Sequence, residues 1–98
     1  MRIPERINIL GFDYKTIFDQ TIERQRDLAG MHSADRQELV LDAHMTEQNL
    51  WATYIHEIFE ALNSRLALNL EHDTIDRLET AWFQVLTTNN LCFSKECK

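Results

Sequence analysis

The chain has 98 residues, a formal net charge of -6, 44% hydrophobic and 27% charged residues, and only two Gly and one Pro. A chain of this length builds one small hydrophobic core and not two, and the composition shows no low-complexity or disordered signature. The negative balance, with Lys and Arg scattered along the chain, argues against a phosphate-backbone partner. No apolar run approaches the roughly 20 residues that span a bilayer, and Met1-Arg2-Ile3-Pro4-Glu5-Arg6 lacks a signal peptide's apolar stretch, so a cytoplasmic location is expected.

Arg6-Ile7-Asn8-Ile9-Leu10 and Tyr14-Lys15-Thr16-Ile17-Phe18 are strand-like runs around Gly11-Phe12-Asp13, which predicts a hairpin. Residues 19–27 are polar, without strand alternation, and read as a loop. A second pair of strands is expected at Gly30 to Ser33 and Glu38 to Asp42, joined by Ala34-Asp35-Arg36-Gln37. Leu39 and Leu41 alternate there with other residues, as a half-buried strand requires. From residue 46 the period becomes helical: Trp51, Ile55, Ile58, Phe59, Leu62 and Leu66 form one apolar stripe, Thr46 is the expected N-cap, and Met45 with Leu50 is placed for a hydrophobic staple.

This helix should close near Leu68, since Asn69 tolerates the left-handed conformation of a helix end. Asp73 is the expected cap of a second helix with an apolar face of Ile75, Leu78, Trp82, Val85 and Leu86, fading over residues 87–90. The expected fold is therefore α+β: a short antiparallel sheet of two hairpins followed by two helices, one domain over residues 1–90. Residues 91–98 read as a mobile tail in which Cys92 and Cys97 are free thiols, their spacing unlike a metal or disulfide motif.

The chemistry lies on the first helix. His56 and Glu60, four residues apart, sit one turn above each other and can converge on one ion, with Glu57 beside them. Zinc accepts carboxylate oxygen at about the same distance as imidazole nitrogen, so His56-Glu57-Ile58-Phe59-Glu60 has the form of a metal helix with Glu as the second ligand. Alone, such a pair on an acidic helix is more often a solvated contact worth a few tenths of a kcal/mol. Two features favour a site: His56 borders the apolar stripe, and Glu57 and Glu60 repel each other without a nearby cation.

His72 becomes available as a third ligand if the two helices pack antiparallel across Asn69-Leu70-Glu71. Glu79 is the reserve third ligand, whose plainer reading is a solvated helix face; His32 and His44 have no spacing relation to His56. Trp51, Trp82 and Phe83 read as core aromatics, since the basic residues of a nucleic-acid surface are missing. Asn63 lies close to Glu60 on the helix and could support it, although an exposed helical Asn is the commoner case, and Arg65 is equally ambiguous.

The segment Thr53-Tyr54-Ile55-His56-Glu57-Ile58-Phe59-Glu60-Ala61-Leu62-Asn63, with Leu70-Glu71-His72 and Trp82-Phe83-Gln84-Val85-Leu86, resembles small phage and prophage proteins of the minimal-zincin type. Residues 1–7, Gly11-Phe12-Asp13-Tyr14 and Gln37-Glu38-Leu39-Val40-Leu41-Asp42 resemble the same family's opening hairpin and pre-helix strand. The resemblance implies a short sheet beside a metal-binding helix and a second helix closing the site. Members with two histidines on the first helix carry an acidic residue near the start of the next. Here Glu60 and His72 look like the exchanged pair.

The expectation is a zinc-dependent hydrolase, a metallopeptidase of phage or prophage origin acting in the host cytoplasm. His56, Glu60 and His72 would hold zinc, Glu57 would be the general base, and a peptide or protein would be the substrate. The alternative is a non-enzymatic phage protein that keeps the fold and binds a host or phage protein. A third reading discards the metal and leaves a small acidic adaptor.

Overall fold

The structure, a computed structural model, describes residues 3–20 and 30–91. Most of the expected loop at 19–27 and nearly all of the expected tail, with Cys92 and Cys97, lie outside the described residues. Strand β1 (Arg6–Ile9) pairs antiparallel with β2 (Phe12–Asp19). The connection is shorter than the expected loop. Leu10 and Gly11 both have positive φ, 54° and 89°, as a two-residue hairpin turn requires, and Asn8 Oδ1 accepts the Gly11 N–H at 2.9 Å.

Strands β3 (Gly30–Ser33) and β4 (Glu38–Asp42) form the second hairpin at the expected positions. The two hairpins do not, however, make an antiparallel sheet. The strand order is β1-β2-β4-β3, and β2 pairs with β4 in parallel. The chain leaves β2 and returns antiparallel in β3 one place further out, so the slot between them is filled by β4, whose direction then matches β2. Hairpin patterning specifies partners within each hairpin and is silent on which strands become neighbours between hairpins. Gln37 fastens the junction: its carbonyl accepts from Lys15 N–H at 2.8 Å and its side-chain amide donates to the Asp13 carbonyl at 2.9 Å.

Helix α1 (Glu47–Leu66) covers the sheet, and α2 (His72–Thr88) packs chiefly on α1. Thr46 caps α1, its side chain accepting the Asn49 N–H at 3.3 Å. The helix ends two residues earlier than expected. Ala67, at φ 50°, takes the left-handed closing position, its N–H and that of Leu68 reaching Ser64 and Asn63 carbonyls, and Asn69 is left-handed as well. Glu71 rather than Asp73 occupies the N-cap of α2, and Asp73 falls in the first turn, where it complements the helix dipole.

The core is formed by Ile9, Tyr14, Leu39, Leu41, Tyr54 and Ala61, with Leu50, Trp51, Ile58 and Leu62 packed around it. The fully buried residues of α1 are Tyr54, His56, Glu57 and Ala61, while Trp51, Ile58 and Leu62 of the expected stripe pack half-buried against the core and Leu66 is exposed. A helix flanked by a sheet on one side and a second helix on the other buries the strip between its two contacts. On α2 only Ile75 is fully buried, and Leu78 and Trp82 are exposed. Among the described residues no helix is long and apolar enough to cross a membrane.

Candidate metal centre

Helical spacing puts His56 and Glu60 on the flank of α1 that meets α2, and the turn after α1 delivers His72 to the same place. That turn is held by Asn63, whose side chain donates to the Leu70 carbonyl at 3.2 Å and accepts the Leu70 N–H at 2.9 Å. The link is therefore clamped from both polar atoms of one amide, two residues before His72. Asn63, ambiguous in the sequence, supports the site through the backbone and not through Glu60.

One carboxylate oxygen, Glu60 Oε2, lies 3.5 Å from His56 Nε2 and 3.2 Å from His72 Nδ1. The ligand atoms of these three residues all fall within 4.8 Å of one another, and the group could hold a metal ion. Tetrahedral zinc with bonds of 2.0–2.1 Å separates neighbouring donors by about 3.3 Å, so the two nitrogen–oxygen spacings suit such an ion. Two imidazoles and a carboxylate are also a donor set of the right chemistry for it. His56 is 8% exposed, whereas the His72 side chain is 65% exposed, so the centre opens to solvent on the α2 side.

A second group, His56 with Asp76 and Glu79, also meets the distance requirement. Asp76 Oδ1 lies 3.1 Å and Glu79 Oε1 3.8 Å from His56 Nδ1, and Asp76 Oδ2 lies 3.4 Å from His72 Nε2. Glu79, the reserve ligand of the sequence reading, is thus present beside His56. Asp76 was missed. Its signal was available, since His72 and Asp76 are four apart on a helix, the same spacing that singled out His56 and Glu60.

The electrostatics follow from this crowding of acids around two imidazoles. His72 is held above the usual histidine pKa, first by its hydrogen bond with Glu60 and further by the charges of Asp76, Glu60 and Asp73. Glu79 is raised above the ordinary carboxylate value by burial, with Thr80 and His56 opposing the shift. A cation at the centre would relieve the acid–acid repulsion that Glu60, Asp76 and Glu79 share.

Glu57 lies elsewhere. Its side chain is buried against β3, with Oε1 3.8 Å from His32 Nδ1 and Oε2 3.3 Å from where a Cβ on Gly30 would stand. The same Cβ would come within 2.7 Å of Thr53 Cγ2, so glycine at position 30 lets α1 lie flush on the edge strand. Glu57 belongs to neither metal-capable group, and His32 is its partner instead of a ligand. His44 is further removed, with Nε2 3.2 Å from the Gln20 carbonyl. Arg65 stacks 3.6 Å over Phe12 and donates to Tyr14 Oη at 3.0 Å and to the Ala34 carbonyl at 3.3 Å, tying α1 to both hairpins. Comparisons of the chain with protein-family models, with curated proteins and with solved structures find no match.

Proposed function

We propose that this chain is a zinc protein of the minimal-zincin type and a metal-dependent hydrolase of peptide bonds, with His56, Glu60 and His72 as its ligands. The observation that carries the reading is the convergence of two imidazoles and one carboxylate at spacings suited to tetrahedral zinc, on a helix whose next residue after His56 is a buried glutamate. When bound, zinc would act as a Lewis acid toward a carbonyl and make water a competent nucleophile at neutral pH. Glu57 is the residue suited to take the proton from that water. Its side chain is buried beside His32 in the structure and would turn toward the ion to do so.

A second reading is favoured by the same residue. Glu57 is turned onto β3 and His32 and away from the metal-capable groups, which suits a protein that keeps zinc for stability and acts by binding a host or phage protein. Glu57→Gln separates the two. It preserves shape and all three ligands, so zinc content and fold should be retained while cleavage of a peptide library falls by at least roughly 100-fold, the scale of a lost general base. Equal turnover in the variant would refute the peptidase assignment. Absence of cleavage by the zinc-loaded wild type favours the binding protein.

A further inference from the structure

We propose that the Nδ1 side of His56 is a second cation site, completed by Asp76 and Glu79, which takes an oxygen-preferring divalent ion such as manganese and competes for His56 with an ion held by Glu60 and His72. The competition rests on the zinc reading above; the second site does not. The two nitrogens of the His56 ring face different donors. Nε2 faces Glu60 Oε2 at 3.5 Å, while Nδ1 faces Asp76 Oδ1 at 3.1 Å and Glu79 Oε1 at 3.8 Å. His56, Asp76 and Glu79 each offer one ligand atom within 4.8 Å of the other two.

Among the described residues of this cluster, the one hydrogen bond to a ring nitrogen joins His72 Nδ1 and Glu60 Oε2 at 3.2 Å. His56 has none, although its side chain is only 10% exposed. Buried polar groups are nearly always hydrogen-bonded, so a buried imidazole flanked by acids and bonded to none of them calls for a different partner. Asp76 Oδ1 is near enough to accept an N–H from His56 Nδ1 but stands off the N–H line. That offset is expected of two donors sharing an ion, because the ion lies along the nitrogen's lone pair and the second donor does not. Glu79 is placed to match: the Thr80 hydroxyl donates to its Oε2 at 3.3 Å, and Oε1 is the oxygen that faces His56. Burial raises its carboxyl above the ordinary range, and an adjacent cation is what would keep it ionised there.

The donor set decides the ion. An octahedral ion with bonds of about 2.1 Å sets neighbouring donors about 3.0 Å apart and opposite donors about 4.2 Å apart. The Asp76 spacing fits neighbours, and the Glu79 spacing falls between the two. One imidazole and two carboxylates, with water reaching the ion past the half-exposed Asp76, suit manganese, whereas the two imidazoles and one carboxylate of the other group suit zinc. A neutral imidazole has a single lone pair, so His56 serves one ion at a time unless the ring gives up its last proton.

The test is a manganese titration of chelator-treated protein, with the free ion followed by electron paramagnetic resonance. One manganese per chain is expected in the wild type and in His72→Ala alike, with affinity at least roughly tenfold weaker in Glu79→Gln and in Asp76→Asn. Saturating manganese should then weaken the apparent zinc affinity of the wild type at least roughly tenfold and leave that of Glu79→Gln unchanged. No uptake by the wild type, or wild-type affinity in Glu79→Gln, would overturn the second site. Loss of manganese binding in His72→Ala would overturn it as well, by placing the ion with Glu60. Zinc affinity indifferent to bound manganese would overturn the competition alone. Manganese uptake as expected, with no zinc uptake under any condition, would support the second site and sink the zinc reading.

Discussion

His56 is the residue on which the centre turns, because it is buried between two helices and faces acids from both of its ring nitrogens. A buried imidazole in that setting has one productive use for each nitrogen, a cation on one side and an acceptor on the other. His72 supplies what Glu79 does not, a nitrogen on the side to which Glu60 points. Substituting His72→Ala should accordingly weaken zinc binding by more than roughly tenfold, about 1.4 kcal/mol, while Glu79→Ala leaves it within about threefold. Titration against a chelating indicator measures both, and a large loss in Glu79→Ala with wild-type affinity in His72→Ala would assign the third ligand to Glu79. At this scale the sequence pointed to His56 and Glu60 by helical spacing and to His72 by the return of a second helix across a short link, and the structure brings the three side chains together. It did not single out Asp76, whose nearness to His56 depends on how the second helix packs on the first, nor the turn of Glu57 toward His32, which depends on where β3 lies.

Between the two helices, the five residues from Ala67 to Glu71 determine whether the centre exists, since they bring His72 back over the last turns of α1. Helix periodicity located both helices because each carries apolar residues every three to four positions. The closing residue was misplaced by two positions because Ala67, a poor left-handed residue, takes that conformation where Asn69 was the better chemical candidate. Asn63 holds the turn with two hydrogen bonds to Leu70. Asn63→Ala should therefore lower the stability of the metal-free protein by about 1–2 kcal/mol and also weaken zinc binding, because the anchor of His72 is lost. Urea denaturation together with zinc titration checks this, and an unchanged midpoint with unchanged affinity would mean that the clamp is dispensable. The sheet teaches the complementary lesson: β3 and β4 were legible from alternation and turn residues, while the parallel β2–β4 contact arises from chain return and has no local sequence signal.

Taken whole, the molecule is an α+β domain in which one helix serves both as the lid of the core and as the wall of a His–Glu group that could hold a metal ion. Tyr54 and Ala61 of α1 close the sheet's hydrophobic core, and His56 and Glu60 on its flank meet α2. The α+β class was readable from the order of strand and helix patterns; the neighbours of each strand and the depth of each apolar residue were not. Because α2 packs chiefly on α1 and leaves Leu78 and Trp82 exposed, little apolar burial holds it, and a cation bridging the helices would have a large part to play. An ion bound only by the native state stabilises it by about 2.7 kcal/mol at 100 times its Kd. The most direct measurement is the zinc content of protein purified without a polyhistidine tag, before and after titration with zinc. One zinc per chain, lost in His56→Ala, is the expected result; a content near zero with no uptake on titration would contradict the metal centre itself.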